Sequence, residues 1–136
     1  MKLLKIALPL SFFVSLAGCP MRSAVWVKSG SNATHLVFGL SSRAGNSSPV
    51  WIGAFRVDRC GDDGSDATSA GLWVIGNDSG GPVSQITYGE LPAAWTQYKQ
   101  PLPLRPGCYR VTISGTGRTE FEVLSDGSIR QRSAAA

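Results

Sequence analysis

The sequence predicts an all-β fold, a seven- to eight-stranded antiparallel β-sandwich that follows a cleaved signal peptide. Three observations lead to this prediction. Beyond the N-terminus, short stretches alternate between apolar and polar residues, as half-buried strands do. Clusters of Gly, Ser, Asn, Asp and Pro separate these stretches, as turns would. No apolar stripe with helical spacing occurs after the first residues.

The N-terminus has the pattern of a secretory signal. Lys2 and Lys5 provide a short positive region, and an apolar stretch runs from Ile6 to Leu16. This stretch is shorter than the ~20 residues that a membrane-spanning helix needs. We therefore expect a signal peptide that is removed.

The apolar stretch ends in Leu16-Ala17-Gly18-Cys19, which resembles the lipobox of bacterial lipoproteins. The resemblance implies that the Cys19 thiol accepts diacylglycerol and that cleavage makes Cys19 the first mature residue. Several acyl chains hold a protein on a membrane, since each buried CH₂ contributes about 0.8 kcal/mol. An ordinary signal peptide is the alternative. By analogy with lipoprotein sorting, Pro20 in the second mature position favours the outer membrane, facing the periplasm.

These features divide the chain into four parts. We expect a signal peptide at 1–18, a lipidated tether at 19–23, a β-sandwich domain at 24–132 and a disordered tail at 133–136. The mature chain has the size of one domain. Loss of Lys2 and Lys5 lowers the formal net charge from +4 to +2, which is too weak to indicate a nucleic-acid partner.

Eight stretches are candidate strands. In chain order they are Ala24–Lys28, Thr34–Leu40, Val50–Arg59, Leu72–Gly76, Ser84–Tyr88, Cys108–Ser114, Thr119–Leu124 and Ser128–Gln131.

Alternation is clearest in the sixth and seventh strands. Tyr109, Val111 and Ile113 fall on one face of the sixth, and Phe121 and Val123 fall on one face of the seventh. A glycine-containing connection joins the two strands and predicts a hairpin. The order of strands favours an immunoglobulin-like or transthyretin-like sandwich over a closed barrel.

Two segments look irregular, Ser41–Ser48 and Gly89–Gly107. The second contains several prolines, which interrupt ladder pairing, so we expect it to run along an edge or end of the sandwich. Its length makes it the candidate binding loop, with Trp95 and Tyr98 as the candidate contact residues. The alternative is that these aromatic side chains, with Leu104, seal the open end of the core.

The cysteine count predicts a disulfide. If Cys19 carries lipid, Cys60 and Cys108 remain in an oxidising compartment, where paired cysteines form disulfides. Cys60 ends one predicted strand and Cys108 opens another, so the bond would join two core strands. Two separate thiols are the alternative.

The last third of the chain resembles small bacterial lipoproteins of uncharacterised function. The resemblance lies in Ile86-Thr87-Tyr88-Gly89-Glu90-Leu91-Pro92, Trp95-Thr96-Gln97, Pro103-Leu104-Arg105-Pro106-Gly107-Cys108-Tyr109-Arg110-Val111 and Phe121-Glu122-Val123. It implies a β-sandwich in the cell envelope and transfers no catalytic residue.

One motif points to catalysis. Asp78-Ser79-Gly80-Gly81-Pro82-Val83 is similar to the nucleophile segment of chymotrypsin-like serine proteases, and His35 precedes it in the order of that family. The chain is too short for two barrels, however, and alternation places His35 on the face opposite Leu36, where solvent would reach it. A tight turn between strands explains the motif better.

The sequence predicts no metal or other cofactor. Asp62, Asp63 and Asp66 offer oxygen ligands but lack the spacing and the terminal Glu of a calcium loop. A single His and the absence of a thiol pair at zinc spacing argue against zinc.

Two classes of function remain. The first is a membrane-anchored, non-enzymatic envelope domain that binds an envelope protein or a cell-wall ligand. The second is a small serine hydrolase that uses Ser79 and His35.

Overall fold

The computed structural model describes residues 23–42, 49–61, 71–114 and 117–132. The predicted signal peptide, Cys19, the acidic segment 62–70 and the predicted tail lie outside the described residues. No helix of the described part is long and apolar enough to cross a membrane.

The described residues form a β-sandwich of two antiparallel sheets, which confirms the predicted fold class. Nine strands occur in this part of the chain. They are β1 (Ala24–Val27), β2 (Val37–Ser41), β3 (Ala54–Arg59), β4 (Trp73–Gly76), β5 (Gln85–Thr87), β6 (Thr96–Lys99), β7 (Gly107–Ile113), β8 (Arg118–Val123) and β9 (Ile129–Gln131).

The strand order matches that of an immunoglobulin-like sandwich in six of the nine strands. One sheet has the order β1-β2-β5 and the other the order β6-β4-β3-β7-β8-β9. The first matches strands A, B and E of that architecture, and β3, β7 and β8 match strands C, F and G. The fourth strand differs from the constant-type order, because β4 pairs with β3 and not with β5.

A tyrosine corner supports this assignment. Tyr109 lies near the start of β7, the strand that matches F, and its hydroxyl donates to the carbonyl of Arg105 at 2.5 Å. The same hydroxyl accepts a hydrogen bond from the amide of Arg105 at 2.8 Å. A tyrosine at this corner that bonds back to the chain is a hallmark of immunoglobulin-like sandwiches.

The eight predicted strands all correspond to observed strands with shifted ends. The largest shift is in β3, which begins at Ala54, whereas Val50 forms an isolated bridge with Val83. The ninth strand, β6, lies within the segment that we predicted to be irregular, Gly89–Gly107. It fits between Pro92 and Pro101 and forms an edge of its sheet, where flanking prolines are tolerated.

Aromatic side chains join the two sheets in the core. Phe38 of β2 contacts Phe55 and Phe121 of the opposite sheet, with ring centroids 5.2 and 5.7 Å apart. Phe55 in turn meets the edge of Trp73 at 5.8 Å. These four side chains are fully buried, and such pairs contribute about 0.5–1.5 kcal/mol each beyond their burial.

The predicted disulfide between Cys60 and Cys108 is confirmed. Their Cα atoms lie 5.3 Å apart, within the range that a disulfide requires. The amide of Cys60 also donates to the carbonyl of Cys108 at 3.1 Å, which extends the β3–β7 ladder by one step. The bond thus links neighbouring strands of one sheet.

The sandwich has a disulfide end and a hairpin end. The disulfide end contains Cys60, Cys108 and the end of β8 at Val123, because Gly107 pairs with Val123. The hairpin end contains Ser114 and Gly117, which flank the connection between β7 and β8.

Candidate functional site

A groove crosses the outer face of the six-stranded sheet where β3, β4 and β6 meet. Its volume is about 460 Å³, which falls among typical ligand pockets of roughly 300–1,000 Å³. Small and apolar residues form the floor, and Tyr98 and Lys99 stand at one side. The lining residues are Gly53, Ala54, Val74, Ile75, Gly76, Tyr98 and Lys99.

A β-bulge places Tyr98 over this floor. The register steps from Lys99 opposite Val74 directly to Gln97 opposite Ile75, so Tyr98 is the extra residue of β6. Its ring then lies against Gly76, where a Cβ atom would be 2.5 Å from ring atom Cε2. Only glycine at position 76 therefore accommodates the ring in this position. The Tyr98 side chain remains 63% exposed.

Asp78 fixes the polar end of Tyr98. The Tyr98 hydroxyl donates to the Asp78 carboxylate, at 3.3 Å from each oxygen, and the Thr96 hydroxyl donates to Oδ2 at 2.6 Å. The negative charge of Asp78 raises the pKa of Tyr98 above its ordinary value. The phenol is therefore neutral near pH 7, and its O–H can donate to a ligand oxygen in place of the Asp78 carboxylate.

Trp95, the other predicted contact residue, differs from Tyr98 because its side chain is buried. Its side chain is 5% exposed and belongs to the core cluster. The ring covers Gly80, where a Cβ atom would be 2.6 Å from Cδ1. Its Nε1 is buried without a hydrogen-bond partner among the described residues. Trp95 thus seals the hairpin end of the core, whereas Tyr98 faces solvent.

Trp51 and Trp73 also differ in exposure. Trp73 is fully buried, and its Nε1 donates to Oε1 of Gln97 at 3.0 Å. Trp51 is 66% exposed and precedes the groove residue Gly53 by two positions.

Ser79 and His35 lie at opposite ends of the sandwich. Ser79 follows β4 at the hairpin end, where its hydroxyl donates to the carbonyl of Ala94 at 3.4 Å. His35 precedes β2 at the disulfide end. Asn32 forms bridges with both His35 and Ser128, and Ser128 lies in the turn that follows the end of β8. Both residues are exposed, as alternation predicted for His35. They do not form a catalytic pair in this arrangement.

One group of potential metal ligands occurs among the described residues. Cys60, Cys108 and Glu120 bring two sulfur atoms and a carboxylate oxygen within 4.8 Å of one another. The two sulfurs are bonded to each other in the disulfide, so they are not thiolate ligands. The predicted acidic segment with Asp62, Asp63 and Asp66 lies outside the described residues.

The sequence pointed to Tyr98 but not to the floor beneath it. Gly76 carries a usable signal, because it shares a face with Val74 in a strand that otherwise contains large residues. The bulge that moves Tyr98 over Gly76 left no pattern in the sequence.

Comparison with known proteins adds no relative. No protein-family model, curated protein or solved structure gave a significant match to this chain.

Proposed function

We propose that the protein is a bacterial cell-envelope lipoprotein, anchored through lipid on Cys19, whose sandwich domain is a non-enzymatic binding module. The groove beside Tyr98 is its binding site, and a cell-wall saccharide is the class of ligand that fits the groove best. The anchor would place the domain on the periplasmic face of the outer membrane.

The disulfide carries the proposal for location. Disulfides persist in oxidising compartments such as the periplasm and are rare in the cytosol. Pairing of Cys60 with Cys108 also leaves Cys19 as the one remaining cysteine of the chain. That cysteine stands in the lipobox-like motif.

The chemistry of the groove supports a saccharide. A sugar ring has apolar C–H faces that stack on aromatic rings and hydroxyl groups that bond to polar side chains. Tyr98 offers an exposed ring whose hydroxyl is within hydrogen-bond distance of the Asp78 carboxylate, and Lys99 also lines the groove. The apolar floor beside Tyr98 provides the concave surface that ligand sites use.

Metabolic labelling tests the anchor. Cells that express the wild-type chain and grow with labelled palmitate should incorporate label into the protein, and Cys19→Ser should abolish it. Immunoblotting controls for the amount of each protein. Equal labelling of both chains would overturn the anchor.

Sedimentation with purified peptidoglycan tests the groove. The wild type should cosediment with peptidoglycan, and Tyr98→Ala should reduce the bound fraction severalfold. Leu102→Ala is a matched control, because Leu102 is 48% exposed and lies outside the groove. Equal binding by wild type and Tyr98→Ala would rule out the groove.

A further inference from the structure

The first strand begins at the hairpin end of the sandwich. The carbonyl of Ser23 lies so close to Gly117 that a Cβ atom there would collide with it. Gly117 is also bonded to the end of β7, because the amide of Ile113 donates to the carbonyl of Gly117 at 2.9 Å. The chain therefore enters the folded domain at the end where β7 and β8 are joined.

Covalent geometry keeps this end near Cys19. Four residues separate Cys19 from Ser23 in the sequence. At no more than ~3.6 Å per residue, the two Cα atoms cannot be more than about 14 Å apart. A lipid on Cys19 would hold the hairpin end next to the bilayer and leave the disulfide end on the far side.

Trp51 lies at the same end, and hydrogen bonds fix the backbone on both sides of it. The amide of Gly53 donates to the Ser114 hydroxyl at 2.7 Å, which places the Trp51 segment beside the hairpin end. On the other side of Trp51, Val50 and Val83 exchange two backbone hydrogen bonds of 2.9 and 3.0 Å. The Trp51 ring is the most exposed of the large apolar side chains in the described part of the chain.

The chemistry of this end suits a lipid interface. Tryptophan prefers the headgroup region of membranes, where its ring is partly apolar and its N–H finds polar partners. In the part of the chain that the structure describes, two exposed charges at this end are opposite in sign, Arg118 at the start of β8 and Asp78 after β4. These two charges offset each other and give no net attraction to anionic lipid, so the inference rests on insertion of the ring.

We propose that the hairpin end of the sandwich docks on the membrane that carries the anchor and inserts Trp51 into its headgroup region. This inference rests on the proposed lipidation of Cys19. It adds a second contact to the lipid and gives the domain a fixed orientation, with the disulfide end pointing away from the bilayer.

Fluorescence of the full lipidated chain tests the docking. The protein is reconstituted into vesicles of phosphatidylethanolamine and phosphatidylglycerol, and the difference between wild type and Trp51→Phe isolates the Trp51 emission. We expect brominated lipids to quench this emission and the vesicles to protect it severalfold from acrylamide, with little dependence on salt. Since Trp51 is exposed, Trp51→Phe should fold normally.

A tryptophan at the far end is the matched control. Leu102 is exposed, and its amide bonds to the carbonyl of Leu72 near the start of β4, away from the hairpin end. Leu102→Trp, made in the Trp51→Phe chain, should be quenched by acrylamide and not by brominated lipid.

Flotation separates failure of the anchor from failure of docking. If the wild type does not float with vesicles, the lipidation proposal fails. If it floats and Trp51 stays accessible to acrylamide, the anchor stands and the docking inference is overturned. Protection of Trp51 in native membranes but not in pure lipid vesicles would also overturn docking on lipid, in favour of a protein partner.

Discussion

Removal of the disulfide should destabilise the domain mainly through its unfolded state. In the folded state, the β3–β7 ladder already holds Cys60 and Cys108 side by side. The bond closes a loop with a sequence separation of 48 residues, for which chain entropy gives about 4 kcal/mol at 25 °C. This is a large part of the ~5–15 kcal/mol that stabilises a typical domain.

Urea denaturation of Cys60→Ser/Cys108→Ser measures this contribution. With a slope of about 1.5 kcal/mol/M, the midpoint should fall by about 3 M relative to wild type. The slope itself should rise, because the unfolded chain without the cross-link exposes more surface. Wild type treated with reductant is the control and should unfold like the double variant. A loss of less than about 1 kcal/mol would refute the entropic reasoning.

Three further predictions concern tyrosines. Gly76→Val should push the Tyr98 ring off the groove floor, since a Cβ atom at position 76 would be 2.5 Å from the ring. The ring would then move away from Asp78, and titration by tyrosinate absorbance should show that the pKa of Tyr98 falls towards its ordinary value. An unchanged titration would contradict the packing. Tyr109→Phe removes both hydrogen bonds to Arg105 and should lower the free energy of unfolding, measured with urea, by about 1–3 kcal/mol. An unchanged free energy of unfolding would show that the tyrosine corner does not stabilise the domain. Burial raises the pKa of Tyr88 to about 12, assisted by Tyr109. An unfolded tyrosine ionises near pH ~10, so the stability from Tyr88 is present below pH ~10 and is lost as the pH rises to about 12. Tyr88→Phe should lose less stability over this pH range than the wild type. An identical loss of stability in both proteins would exclude Tyr88 as its source.

Alternating strands were the part of the fold that the sequence predicted well. In β7 and β8, side chains such as Tyr109, Val111 and Phe121 face the core at every second position, so the pattern records the buried face directly. The disulfide was predictable for a different reason. It followed from counting cysteines once Cys19 was set aside.

The edge strand β6 could not be predicted in the same way. Its first three residues are exposed and only Lys99 is half-buried, so burial imposed no alternation on Thr96-Gln97-Tyr98-Lys99. The sequence did not predict the groove either, because the groove depends on a bulge that brings Tyr98 of one strand over Gly76 of its neighbour. Trp95 shows the converse problem, since an aromatic residue in a loop is equally compatible with the core and with a binding surface.

The bulge in β6 also affects how the sheet meets other chains. An incoming strand needs a straight row of free amides and carbonyls, such as an open sheet edge provides. β6 offers only four residues, its register is shifted at Tyr98, and Pro101 soon follows. The six-stranded sheet is therefore a poor template for growth by strand addition at this edge. Copies of the protein at high local concentration can therefore contact one another at this edge without forming a continuous sheet.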